Sequence, residues 1–207
     1  MATDVPSQAQ ARAALRGWKP YRLTVRQYLK MIEGGVFPDH VRVELLGGLL
    51  AERMTRHPPH DYAVSRLGKL LGGMLLAPMF AREEKAIVLG RYWRPEPDVA
   101  VYRGPEELFD NRTPRAKDVA LLVEVSDSSY VIDRGRKWRL YAAARIDPYW
   151  IVNLPARRIE VYANPAGRGE RAYYRETTIF EEDAEVPVIL GGAAQGHVAV
   201  AAILPRR

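Results

Sequence analysis

The sequence predicts a mixed α/β fold, a central sheet with helices packed against it. Three observations carry that expectation. Segments with a helical 3.6-residue repeat are interleaved with short strand-like runs along the chain, the order of a layered α/β domain. One of those runs, DVALLVEVS at 118–126, is apolar enough to be buried on both faces. The segment after it, DRGRKWRLYAAARI at 133–146, reads as a helix that Asp147-Pro148 closes before further strands begin.

Each element has its own signal. LTVRQYLKMIEGG (23–35) is a short helix capped by Thr24 and stopped by Gly34-Gly35. VRVELLGGLLAER (41–53) alternates around a Gly-Gly pair, as a hairpin does. HDYAVSRLGKLLGGMLLAPM (60–79) offers Tyr62, Leu67, Leu70, Leu71, Met74 and Leu75 for a buried stripe. KAIVLGRYW (85–93) and PDVAVYR (97–103) read as strands, and GPEELFDNRTP as a loop with a helical turn. PYWIVNL, RRIEVYAN and ERAYYRE follow 133–146 as strands, and VPVIL and HVAVAAIL form a last pair around Gly191-Gly192. Residues 1–20 read as a loose N-terminal arm and 21–207 as one domain; repeats and internal linkers are not evident.

The 207 residues and 23.4 kDa suit one domain with a real core. Absence of cysteine excludes disulfides and thiolate metal sites and makes the cytoplasm the expected setting. No apolar run has the length of a membrane span, and the N-terminus lacks the apolar centre of a secretory signal. A net charge of +6, from 31 basic and 25 acidic residues, favours an anionic partner such as nucleic acid, unless the arginine enrichment only records a GC-rich genome.

Two acidic residues are out of place. Asp98 opens an apolar strand, and Glu124 lies inside the most apolar one, 124 − 98 = 26 residues on, so adjacent strands can bring them together. A carboxylate in such a run is costly unless paired, and two neighbours repel unless a cation sits between them. A hard divalent ion, Mg²⁺ or Mn²⁺, would resolve both problems. The alternative places Glu124 on a solvated edge or against an arginine. On the next helix Asp133, Lys137 and Tyr141 share one face at i, i+4 and i+8, while Trp138, Tyr141 and Ala142 mark the side that packs on the sheet. Lys137 can therefore reach the acids, where it would orient water and stabilise phosphoryl charge; the alternative is a solvated pair with Asp133.

Other chemistries find little support. His57 and His60 in HPPH suggest a zinc pair, but four histidines and no cysteine make a closed zinc site improbable, and Pro58-Pro59 is expected to keep the two off a common helix face. Ser126, Ser128 and Ser129 lack a nucleophile elbow and suit turns and caps for the helix at 133. There is no Walker motif or GxGxxG loop, so no nucleotide cofactor is indicated. Tyr92, Trp93, Tyr149 and Trp150 read as core or interface residues.

PEPDVAVY, LLVEVSDSS and DRGRKWRLYAAARIDPYWIVNLPARRIEVY together resemble the Uma-two endonuclease-like family of bacteria, within the PD-(D/E)XK nuclease superfamily, from about LTVRQYL to HVAVAAILP. The resemblance implies a restriction-endonuclease-like mixed sheet flanked by helices and a metal-dependent DNA endonuclease. Asp98 matches the PD aspartate and Glu124 the (D/E)XK acid; both would hold Mg²⁺, with Glu44 as a further ligand. Ser126 replaces the superfamily lysine, whose place Lys137 takes on the following helix. His60 and Tyr141 would contact phosphate or the metal ligands. The competing reading is an inactive nuclease-fold module for nucleic-acid binding or assembly. Cutting both strands of a duplex would require a homodimer, with PYWIVNL and VPVIL as apolar edges for it.

Overall fold

The computed structural model describes residues 17–53 and 57–206. Of the N-terminal arm, residues 1–16 lie outside these; 17–20 are exposed and lack helix or strand.

Helix α1 (Val25–Glu33) begins as its sequence dictates. Thr24 Oγ1 accepts from the Gln27 backbone N–H, and the Gln27 side chain accepts from the Thr24 N–H, which satisfies donors a helix start otherwise leaves open. Strands β1 (Val43–Leu46) and β2 (Leu49–Glu52) form the expected hairpin about Gly47-Gly48. Helix α2 (Pro58–Met74) starts earlier than its apolar pattern suggests, because Pro58 and Pro59 fall in the first turn, where a missing N–H is no loss. The prolines therefore open this helix: His57 is its N-cap and His60 sits in its first turn. Its buried face is Ala63, Val64, Leu67 and Leu71, which leaves Tyr62 44% exposed on the other side, against the expected stripe.

The region 80–94 also departs from expectation. The strand read over 85–93 is mostly irregular; regular pairing occurs earlier, in β3 (Phe80–Glu83), and again only in the short β4 (Trp93–Arg94). After β5 (Val99–Tyr102), a 3₁₀ turn at Glu106–Phe109 leads toward β6 (Val119–Ser126), every residue of which is buried. The helical stretch beyond β6 begins at α3 (Tyr130–Ile132), passes through a π-helical turn (Asp133–Lys137) and continues as α4 (Trp138–Ala143). Then come β7 (Tyr149–Asn153), β8 (Arg158–Ala166), β9 (Tyr173–Phe180), β10 (Glu185–Leu190) and β11 (Ala193–Ala199). HVAVAAIL does not remain a strand; its second half is helix α5 (Val200–Ile203).

The main sheet has the order β3-β5-β6-β7-β8-β9. All its pairs are antiparallel except β6 and β7, whose parallel alignment needs a crossover, and the 130–143 helical stretch supplies it. Along β6, Leu121, Val123 and Val125 join a core with α2, β10, β11 and α5, while Leu122 joins the opposite core with Leu140, Tyr141 and Ala142 of α4. PYWIVNL is thus not an edge: β7 is flanked on both sides, and the sheet's outer strands are β3 and β9. Among the described residues no helix is long and apolar enough to cross a membrane.

Candidate functional site

Alternation along β6 puts Glu124 on the same side as Leu122, facing α4, so its carboxyl enters the protein rather than solvent. Two side chains meet it there. Tyr141 donates its hydroxyl to Glu124 Oε1 at 2.6 Å, and Lys137 Nζ lies 3.0 Å from Oε2. The same ammonium is 3.4 Å from Asp133 Oδ1, so the functional and the merely paired readings of Lys137 describe one arrangement. The face shared by Asp133, Lys137 and Tyr141 is folded onto Glu124, although the first two occupy a π-helical turn. Such turns recur at functional sites because they re-aim side chains within a helix.

Asp133 is fixed from several directions. Ser126 Oγ and Ser129 Oγ both donate to its Oδ2, at 2.8 and 2.5 Å, and the Tyr149 hydroxyl donates to its backbone carbonyl at 3.1 Å. The serines therefore anchor an acid instead of capping: Ser129 precedes α3 without a side-chain cap bond. Ser128 is exposed at the pocket rim.

Asp98, just before β5, approaches the same cleft. Its Oδ2 accepts from the backbone N–H of Val125 at 2.8 Å, a direct tie to the residue after Glu124, and lies 3.3 Å from His60 Nε2. Its Oδ1 accepts from Arg53 Nη2. Arg53 Nε is also 3.9 Å from Glu44 Oε1, while the buried Glu44 Oε2 has no hydrogen-bond partner. Arg53 was not read from the sequence as part of the site. The signal lay in the hairpin register: Glu44 opposes Ala51, and Arg53, two residues on, belongs to the same face.

Glu44, Arg53, His60, Asp98, Glu124, Asp133 and Lys137 all line one cleft of about 210 Å³. Tyr141 stands behind it and touches Glu124, whereas His60 lines the cleft and touches Asp98, so each contacts one of the acids. Burial drives the Glu124 carboxyl up to about 8; Asp98 and Asp133 add to the push, while Lys137 and the Tyr141 hydrogen bond oppose it. Burial acts in the same direction on Asp98 but is overridden there by the His60 hydrogen bond and by Arg53, which hold it at about 2. Glu44 is raised, chiefly by burial. For Lys137 burial works against the charged form, yet Glu124 and Asp133 outweigh it and hold the ammonium protonated well above its ordinary range.

The donors suit a hard divalent cation: carboxyl oxygens with no sulfur, one of them buried and unpartnered. Four acidic side chains, Glu44, Asp98, Glu124 and Asp133, share two permanent cations, Arg53 and Lys137, and the site accommodates the surplus of carboxyls by raising Glu124 and Glu44 toward their protonated forms. Among the described residues no three His, Asp or Glu form a ready-made metal cage. The Arg53 guanidinium already pairs with Asp98 Oδ1.

Two further buried acids serve other purposes: Asp118 accepts from Arg112, and Glu160 lies on β8. Glu160 accepts from Tyr130, Tyr162, Asn153 and Arg158, and so pins the start of α3 to the sheet. Tyr149 and Trp150 are core residues as expected, and Tyr92 and Trp93 are half-buried.

The sequence matches the family model Uma2, described as "Putative restriction endonuclease", over residues 25–199. Among solved structures the chain is similar to a crystal structure of a putative nuclease of the DUF820 group from Anabaena variabilis, with 17% identity and a TM-score of 0.62, over 87% of this chain and 97% of that one. That likeness is one of fold, and it bears out the nuclease-like mixed sheet. No curated protein matches the chain.

Proposed function

The chain belongs to the Uma2 restriction-endonuclease-like family, and from that premise we propose that it hydrolyses phosphodiester bonds of DNA with a hard divalent cation, Mg²⁺ or Mn²⁺. The observation that carries this reading is the Lys137 ammonium, its side chain 12% exposed, 3.0 Å from Glu124 in a cleft that Asp98 and Glu44 also line. Asp98 and Glu124 would hold the cation with Glu44 as a further ligand; when bound, it would acidify a water and draw charge from the phosphoryl oxygens.

The chain's own residues supply the rest. Lys137 donates to the attacking water or a non-bridging phosphate oxygen and stabilises the charge that builds there. Asp133, locked by Ser126 and Ser129, keeps Lys137 from swinging out of the cleft. Ser126 stands where the superfamily lysine would, and through Asp133 it supports the lysine that acts in its stead. Tyr141 fixes Glu124 by one oxygen and leaves the other toward Lys137. His60 steadies Asp98 in the same way. A pure binding module has no use for a lysine set among four acids in a cleft, which is why the catalytic reading is preferred to the inactive one. Each chain carries one such centre, so double-strand cutting would use two protomers in a homodimer.

Incubation with supercoiled plasmid tests the reading. Mg²⁺ or Mn²⁺ should give nicked or linear product, chelator should stop it, and the double variant Asp98→Asn, Glu124→Gln should leave the plasmid intact. Cleavage that needs no cation, or that survives loss of both acids, would contradict it.

A further inference from the structure

Beside the cleft, around the β1–β2 turn, three exposed arginines lie against two aromatic rings. The Arg22 guanidinium is 4.2 Å from the Tyr92 ring centre, Arg91 is 5.4 Å from the same ring, and Arg136 is 5.4 Å from Trp93. All three are exposed, and among the described residues none takes part in a salt bridge. Arg157, Arg112 and Arg82 are instead paired with Glu182, Asp118 and Glu106. The exposed Arg168, Arg171 and Arg175 are likewise outside the salt bridges of the described residues but lie over no ring, so it is the stacking on Tyr92 and Trp93 that sets Arg22, Arg91 and Arg136 apart. We infer that Arg22, Arg91 and Arg136 form a platform that grips the phosphate backbone of duplex DNA next to the cleft.

The platform is built, not incidental. Gly48 N–H donates to the Tyr92 carbonyl, Leu23 N–H to the Gly48 carbonyl, and Val25 N–H to the Arg91 carbonyl, which ties three separate segments into one surface. Gly47 and Gly48 have positive φ, and a Cβ on either would crowd it: on Gly47 it would meet Arg136 and Trp93, on Gly48 the Arg22 Cβ at 2.7 Å. Arg22 uses one N–H on the Gly47 carbonyl and Arg136 one on the Leu46 carbonyl, so each is held yet keeps donors for an anion. The stacked rings reduce the entropy a long side chain would lose on binding. The link to the site is direct: Leu46 lines the cleft, and Arg136 precedes Lys137. A backbone held here would pass the proposed centre, so the inference rests on the nuclease reading and supplies its substrate-binding surface.

Fluorescence anisotropy with a labelled duplex, in chelator and over a salt series, separates the two ideas. The full chain is compared with a platform variant (Arg22→Gln, Arg91→Gln, Arg136→Gln) and with a variant of equal charge change on exposed arginines elsewhere (Arg168→Gln, Arg171→Gln, Arg175→Gln). Melting curves check folding, and the single variant Arg91→Gln, at an exposed position in an irregular segment, stands in if the triple change disturbs the turn. The platform variant should lose about tenfold or more in affinity, with a salt slope flatter by roughly two to three, and Arg91→Gln should show a smaller loss with a slope flatter by about one; the control should stay near wild type. Equal losses in platform variant and control would mean net charge alone. Unchanged binding in the platform variant, or a wild type that does not bind duplex, would overturn the platform. Cleavage with unchanged platform-variant binding would sink the platform and spare the nuclease; platform-dependent binding without cation-dependent cleavage would do the reverse.

Discussion

Lys137→Ala is expected to slow DNA cleavage by roughly 10²–10⁴-fold while cation affinity stays the same or tightens. The divergence follows from what the ammonium touches. It lies between Glu124 and Asp133 and stays protonated there, so it is available for water or phosphate and unavailable as a metal ligand. Its removal deletes the donor that stabilises phosphoryl charge, yet it also deletes a cation that competes for the same carboxyls. Single-turnover cleavage and calorimetric cation binding, measured on the same preparation, read the two consequences separately. Arg139→Ala, an exposed change on the same helical stretch, should leave turnover nearly intact. Normal cleavage by Lys137→Ala would reduce this lysine to a structural counter-ion of Glu124.

The second large effect is on stability, and its sign is unusual for a carboxyl. Glu124 has an ordinary value of 4.5 in the unfolded chain and about 8 in the folded one. Between those values the unfolded chain releases this proton while the native site retains it, so the unfolded state binds fewer protons and stability falls as pH rises, levelling off above about 8. Asp98 acts oppositely at the acid end: its folded value of about 2 lies below its ordinary 3.8, so its stabilisation is present above 3.8 and lost as pH drops toward 2. Glu124→Gln keeps a neutral polar group where the native acid keeps its proton. In cation-free buffer the variant should match wild type near pH 4.5 and exceed it by a few kcal/mol near pH 8. Denaturant melts of both proteins across that range give the difference. A wild type that gains stability relative to Glu124→Gln as pH rises would show that Glu124 ionises in the fold.

Much of this was legible in the chain because strand and helix periods place side chains predictably. Glu124 amid Leu122, Val123 and Val125 announced a buried acid, and the i, i+4, i+8 spacing of Asp133, Lys137 and Tyr141 survived a π-helical turn that no period reveals. Thr24, Gly34 and the Gly47-Gly48 turn fixed local geometry on their own. The misreadings share a cause: tertiary packing decided between local options of similar merit. AIVLGRYW has strand composition but is spent on loop contacts, whereas FARE, with two charges, becomes β3 because β5 offers an open edge. PYWIVNL looked like an edge because apolar alternation does not say how many neighbours a strand has; the parallel partner β6 supplies the second. HVAVAAIL turns helical at Val200, where pairing with β10 ends. Arg53 was hidden for a different reason, since its role depends on which acids the sheet brings to the hairpin. The two serines around Asp133 likewise gain their function only once strand and helix meet.

Cation binding by the folded chain tests the central claim most directly. Mn²⁺ is titrated calorimetrically into wild type, Glu124→Gln and Asp98→Asn near neutral pH, in two buffers that differ in ionisation heat. The account predicts saturable binding by wild type, a buffer-dependent heat that reports the proton Glu124 gives up, and loss of both in either variant. No binding by wild type, or binding of equal strength in Glu124→Gln and Asp98→Asn, would contradict it.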